Sequence, residues 1–323
     1  TAGAPPPRAV VVAPRIIPLA GPLEDPAAEV SGMTWHGDTL VILPQDPDLF
    51  APGDTLGFFT LAGTGIRAWL DGGGGVLEPR LVPCVAPGLA RIVRGFDGLE
   101  ATGMIGNRCY LTVEAKQDTV MAGYLVCGEY DLRQGMVFMD MTRLTAIPLG
   151  INIFNVAEEA LVIDGRRVIT MSEANGANVN PEPRAKVFAE DLDYLGSLPF
   201  PQIEYRVTDA TALDARRRFW VINYFYPPDA ARLFPAPDPE VARHGAPDWL
   251  TPTTCIERLL ELELTPDDRI VRTDTPPIWL QPRTDGQCRN WEALVRLDDR
   301  GFLLMTDKYP GTLLAFVPLP DLD

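Results

Sequence analysis

Histidine is almost missing from this chain. Only His36 and His244 occur in 323 residues, so a three-histidine metal centre cannot be assembled and a histidine-dependent triad has few candidates for its base. Lysine is nearly as scarce, with Lys116, Lys186 and Lys308 the whole set. The five cysteines, Cys84, Cys109, Cys127, Cys255 and Cys288, never form a CxxC pair, which argues against a zinc ribbon or a thioredoxin-type motif. An odd count leaves at least one thiol unbridged. The spacing is compatible with Cys109–Cys127 and Cys255–Cys288, and equally with five buried thiols. GxSxG is absent, which leaves an α/β-hydrolase nucleophile elbow unsupported. The Gly-rich Asp71–Gly75 has no GK[ST] after it, so it is no Walker loop and reads as a flexible hairpin tip. Arg243-His244-Gly245 carries only a fragment of the histidine acid phosphatase signature. No apolar run approaches the roughly 18–20 residues that span a bilayer.

Positive charge is also short. Lys and Arg number 28 against 44 Asp and Glu, a net charge of −16. A surface of that sign repels polyanions, which argues against nucleic acid and anionic membrane as partners, and a small-molecule substrate or ligand, phosphorylated or not, is expected. The opening TAGAPPPRA reads as a mature end left by removal of a signal or lipoprotein segment, which implies an extracytoplasmic location: periplasmic, secreted or lipid-anchored.

Turn formers abound, with 32 prolines and 28 glycines. Between them lie short apolar runs such as TLVILP, GFFTLA, CYLTVEA, RVITMSE, RFWVINYF and FLLMTD. This is the pattern of many short strands and it disfavours long helices. ERLLELEL (257–264) has helical propensity, but its Leu/Glu alternation predicts a strand.

One unit recurs: an acidic or hydroxyl residue, a short apolar strand, a tight turn, then a second apolar strand with a polar end. The copies are SGMTWHGDTLVILPQD from Ser31, EATGMIGNRCYLTVEA from Glu100, EALVIDGRRVITMSEAN from Glu159, TDATALDARRRFWVINY from Thr208 and EALVRLDDRGFLLMTDK from Glu292. The repeat predicts an all-β chain, one domain over 1–323, folded as a five-bladed β-propeller. The last unit lacks a strand, which the N-terminal AVVVAPRIIPL can supply by joining the last blade. Residues 227–256 contain no copy of the repeat and are expected to form a long top-face insertion.

In a propeller the first strand of each blade lines the axis. Ser31, Glu100, Glu159, Thr208 and Glu292 would then form a ring, with Glu158 competing with Glu159, and Asp209 and Thr211 with Thr208. Three carboxylates converging in a narrow channel must take up protons or hold a cation. An all-oxygen shell suits a hard ion, and a wide ring of long side chains suits Ca²⁺ better than Mg²⁺. The second strands end on the same face in Glu114, Glu173, Asp307 and Lys308, the candidate catalytic groups around such an ion. Trp35, Trp220 and Trp291, in or beside the repeated hairpins, are expected to pack between blades.

These openings, SG-apolar, EA-apolar, EALVIDG, TDATALD and EALVRLDD, with the ending LLMTDK…TLLAF, resemble the phytase-like esterase propeller family. The order Ser31, Glu100, Glu159, Thr208, Glu292 is similar to the central calcium shell of the five-bladed calcium-activated nucleotidases (apyrases), with Thr replacing the second Ser. Where apyrases carry an Asp-Asp-Arg-Thr-Gly turn, this chain reads VILPQDPDLF, which counts against nucleotide hydrolysis. The resemblance implies a calcium-binding hydrolase of a phosphate ester or other ester. The competing expectation is a non-catalytic binding propeller stapled by a structural calcium.

Overall fold

The structure, a computed structural model, describes residues 9–50, 55–131 and 133–321. The Pro-rich opening read as a mature end falls at 1–8, outside the described residues except for its last residue, Ala9. Strands dominate, and they arrange as successive antiparallel meanders. The first runs through Val30–His36, Thr39–Pro44, Thr55–Ala62 and Arg80–Val85. The second runs through Phe96–Ile105, Arg108–Gln117, Val120–Asp131 and Met136–Ile147. The third uses Glu158–Asp164, Arg167–Ser172, Arg184–Ala189 and Tyr194–Pro199. The fourth uses Ile203–Ala210, Arg218–Phe225, Ile256–Leu264 and Ile278–Leu280. The last comprises Trp291–Leu297, Gly301–Thr306 and Leu314–Pro318. The Leu/Glu alternation of 257–264 is a strand, as expected.

The repeated unit is the first hairpin of each meander. Its turn is two residues long in the first three copies. Gly106 (φ 59°) and Gly165 (φ 61°) take the first central position, where a left-handed backbone matches the strand twist and a side chain would be strained. The first strands touch one another in sequence, and that of the last meander touches that of the first. The apolar core is divided in the same way. One cluster joins the first and second meanders through Phe58, Leu99 and Val126. Others join second to third through Tyr110 and Phe188, third to fourth through Ile169 and Leu260, and fourth to last through Trp220 and Phe302. Another closes last to first through Leu303 and Phe59. Each sheet thus buries both faces against its neighbours, which leaves the strand ends to build sites.

Three features were not anticipated. The first and second meanders fuse into one sheet, because Val137 and Phe138 pair in parallel with Cys84 and Val85. The N-terminal segment serves two sheets: Val10–Val12 adds in parallel to Ile278–Leu280 of the fourth meander, and Arg15–Ile17 pairs antiparallel with Leu314–Phe316 of the last. Asp71–Gly75 does lie between two antiparallel strands, Thr55–Ala62 and Arg80–Val85, but in a long connection with helical turns. A helix at Gly63–Ala68 runs on into the turn Trp69–Gly73, and Asp71 is tied to Arg300 at 2.7 Å.

Cys255 and Cys288 are disulfide-bonded, whereas Cys109 and Cys127 remain free and buried. Those two lie on adjacent strands but are offset by one residue: Cys109 faces Gly128 and Cys127 faces Tyr110. An offset of one turns the side chains to opposite faces of the sheet, so no bridge forms. The insertion folds as short helices at Ala230–Leu233 and Pro239–His244. It is pinned by the buried pair Arg258–Asp238 (2.7 Å) and by Arg272–Glu240 (2.6 Å). Asp238 also caps the second helix by accepting from the Glu240 amide. Trp291 is fully buried and donates from Nε1 to Glu257, and Trp35 donates to the Arg296 carbonyl. Among the described residues no helix is long and apolar enough to cross a membrane.

Candidate functional site

Every one of the five ring positions falls in a β-bulge of its first strand. Ser31 is the unpaired residue between Val30↔Pro44 and Gly32↔Leu43. Glu159 occupies the same place between Glu158↔Ser172 and Ala160↔Met171, and Glu292 between Trp291↔Thr306 and Ala293↔Met305. Glu100 with Ala101, and Thr208 with Asp209, are pairs opposing single residues. A bulge re-aims a side chain that regular pleating would bury between sheets. Five in register is how the repeat brings its first residues to one level.

Ser31, Glu100, Glu159 and Glu292 line a cavity of about 360 Å³ at the end of these strands, together with Glu114, Asp307, Lys116, Lys308 and Arg206. Thr208 is not among the lining residues. It is fully buried and donates to the Trp291 carbonyl at 2.6 Å. Ser31 likewise donates to the Leu99 carbonyl at 2.6 Å. Both hydroxyls spend their proton stitching neighbouring first strands together. Asp209 does the same work as an acceptor, taking the amides of Ala210, Leu294 and Met33.

The carboxyl groups are short of compensation. Burial first, then Glu159, Glu114 and Glu292, drive Glu100 well above the usual carboxylate range, and it hydrogen bonds to Glu114. Glu114 is raised chiefly by burial and by Asp97, and Glu159 is raised well above its usual range by burial and then by Glu292. Burial pushes Glu292 up to about 7 against the pull of Arg206. Its Oε2 is buried with no hydrogen-bond partner among the described residues. Asp307 is raised by burial and accepts from Asn290 (2.7 Å) and from the Tyr309 amide (2.8 Å).

Sequence reasoning missed Arg206. Its guanidinium donates to Glu292 at 3.0 Å and to Asn290 at 3.2 Å, and ion-pairs with Glu173. Glu173 is therefore a fully buried partner of Arg206 and does not line the cavity. Lys308 pairs with Glu29 at 2.9 Å and Lys116 with Asp97 at 2.5 Å, both at the rim. Glu158, the competitor of Glu159, turns away to Lys186 at 2.5 Å. One signal could have found Arg206: it stands two residues before the opening residue of its copy, Thr208, where the other copies have Glu29, Gly98, Ala157 and Asn290. Among the described residues no group of three His, Cys, Asp or Glu side chains stands close enough to share one metal ion.

No family model and no curated protein matches the chain. Solved structures do. One is described as a putative glycoside hydrolase from Parabacteroides distasonis, with 12% identity, TM-score 0.50, and coverage of 100% of this chain and 96% of that one. A second comes from work on the GH130 family of mannoside phosphorylases, containing glycoside hydrolases that target β-1,2 mannosidic linkages in Candida mannan; it shows 10% identity, TM-score 0.52 and 96% coverage of each chain. A third is a GH43_1 enzyme from Xanthomonas citri complexed with xylose, with 12% identity, TM-score 0.50, and coverage of 94% and 90%. Identities this low speak for the fold alone and leave the phytase-like and apyrase likenesses where the sequence put them. What they establish, with the strand pairings above, is an all-β chain of the β-propeller fold.

Proposed function

We propose that the chain is a five-bladed propeller, closed by Arg15–Ile17 on the last blade, that hydrolyses an ester or phosphate ester in the acidic axial well. The observation that carries this reading is the convergence of Glu100, Glu114, Glu159 and Glu292, all buried, on one cavity of about 360 Å³ with raised proton affinities. Groups that cannot all ionise together divide into acids and bases, which is the requirement for proton transfer near neutral pH. Glu100, raised well above the usual carboxylate range and bonded to Glu114, keeps its proton and is placed to protonate a leaving oxygen. Glu159, which forms no ion pair among the described residues, is the group to activate water. Asp307 and Lys308 stand at the rim to orient substrate. Glu173 acts one step back, holding Arg206 against Glu292.

The donors fit calcium in kind: all are oxygen, Glu292 Oε2 lacks a partner, and the carboxyl groups outweigh Arg206. Glu159 and Glu292 would hold the ion, with water between it and Glu100 and Ser31, whereas Thr208, turned to the Trp291 carbonyl, would stay outside the shell. When bound, calcium would supply charge neutralisation and Lewis acidity. The Cys255–Cys288 bridge supports an oxidising, extracytoplasmic setting.

A second reading, glycoside hydrolysis, is favoured by the gathering of several buried carboxyl groups in one well, since glycosidases commonly work with two, and by the neighbours' names. One panel separates the readings: p-nitrophenyl acetate, phosphate and glycosides, each with chelator and with added Ca²⁺. Acetate or phosphate turnover that chelator removes and Ca²⁺ restores supports the proposal. Turnover confined to glycosides supports the second reading. Loss of melting temperature in chelator with no turnover would leave a stapled binding module.

A further inference from the structure

Beside the axial well lies a second cavity, of about 610 Å³, that shares Arg206, Asn290 and Asp307 with it. That volume is in the range of roughly 300–1,000 Å³ typical of small-molecule sites. One wall comes from Tyr226 and, in the insertion that follows it, Asp229 and Arg232, and the other from 286–288 and Tyr309. The two walls are tied together covalently, because Cys288 is bonded to Cys255 at the end of the insertion. Their spacing is thus fixed before any ligand arrives, which lowers the cost of binding.

The lining chemistry is selective. Tyr224, Tyr226 and Tyr309 present three aromatic rings, of which Tyr226 and Tyr309 are 47% and 61% exposed. Among the described residues no Leu, Ile, Val, Met or Phe lines the space, so they offer no aliphatic wall for an acyl chain. Its cations are already engaged: Arg232 on Asp229 at 3.1 Å and on the Phe154 and Asn155 carbonyls, and Arg206 on Glu292. A polyanion would find acids beside them, Asp229 and Asp307. Flat apolar faces surrounded by amide and carboxylate groups suit a neutral ring with one apolar face and many hydroxyls.

We propose that this cavity is a binding subsite for a sugar unit, placing the bond to be cleaved over the axial well. Only that placement rests on the hydrolytic reading; sugar binding does not. The test is saturation-transfer NMR on the intact chain with methyl β-D-mannopyranoside, xylobiose and α-1,5-arabinobiose, against hexanoate and inositol hexakisphosphate. At least one sugar is expected to take up saturation. Its affinity should fall tenfold or more in Tyr226→Ala and in Tyr309→Ala, with unchanged melting temperature, and persist in the Tyr→Phe versions. No sugar signal, equal competition by hexanoate or inositol hexakisphosphate, or indifference to both alanine variants would overturn it. Sugar binding without turnover on any substrate would defeat the hydrolytic reading alone.

Discussion

Two buried polar clusters in this molecule are built to opposite standards. Under the insertion, Arg258 is fully enclosed, yet its guanidinium donates to Asn223 at 2.8 Å and to both oxygens of Asp238. Nearby, Glu257 takes the Arg289 guanidinium, the Arg289 amide and the Trp291 indole. Charge meets charge and few lone pairs are left over. In the axial well, four buried glutamates face one guanidinium, an oxygen of Glu292 has no partner among the described residues, and Glu100 and Glu159 are pushed toward protonation. Buried polar groups are normally satisfied, so imbalance that persists marks a place shaped for something other than stability. The first cluster fastens an insertion; the second waits for a proton, an ion or a substrate.

The contrast can be broken most forcefully at its one shared element, a buried arginine. Arg206→Met should cost about 3–5 kcal/mol, because it strands Glu173 and Glu292 as unpaired buried charges. Urea unfolding reads it, and adding Glu292→Gln should recover part of the loss. Arg258→Met should cost about 3 kcal/mol for the same reason while leaving calcium affinity, measured by titration calorimetry, unchanged. Equal effects of both on calcium would erase the distinction between the clusters.

Next in size is pH. Glu292 titrates from a reference of 4.5 in the unfolded chain to about 7 in the folded one. Below 4.5 both states hold the proton. Above it the unfolded chain releases its proton first, so metal-free stability declines as pH rises through 7 and levels off beyond. Arg206, Asn290 and Asp307 face it, as do Glu100, Glu159 and Tyr224. At about 1.36 kcal/mol per unit the loss is on the order of 3 kcal/mol. Melting temperatures from pH 4 to 9 should show it, and added Ca²⁺ should flatten the curve.

Glu159→Gln should abolish turnover yet raise metal-free stability by about 1 kcal/mol, since it removes a like charge rather than a partner. A drop in stability would mean that Glu159 has a compensating contact. The smallest effect belongs to Thr208→Val, about 1 kcal/mol for one hydrogen bond to the Trp291 carbonyl, with no change in calcium affinity. A marked loss of calcium affinity would return Thr208 to the ligand shell.

Much of this was legible before any coordinates because the chain repeats itself. Five copies fixed the hairpins, and their shared first residue marked Ser31, Glu100, Glu159 and Glu292 as neighbours. Thr208 was found by the same alignment, but its hydroxyl points along the ring to a backbone carbonyl instead of into the well. What the repeat could not show is whatever occurs once. Arg206 has no counterpart in the other copies. Glu173 acquires its meaning only through Arg206. The parallel contact of Val137 and Phe138 with Cys84 and Val85 involves outer strands, whose alternation says nothing about sideways partners. Tyr226 and Tyr309 lie far apart in sequence and meet only across a cavity whose walls a disulfide holds.

The pairing of Arg15–Ile17 with Leu314–Phe316 has a consequence for synthesis on the ribosome. Residues 15–17 emerge long before residues 314–316 and can be seated only once those have followed, so this pairing forms late. Until then the outer edge of Leu314–Pro318 lies open to whatever strand comes by, and a second nascent copy of residues 15–17 would fit it as well as the chain's own.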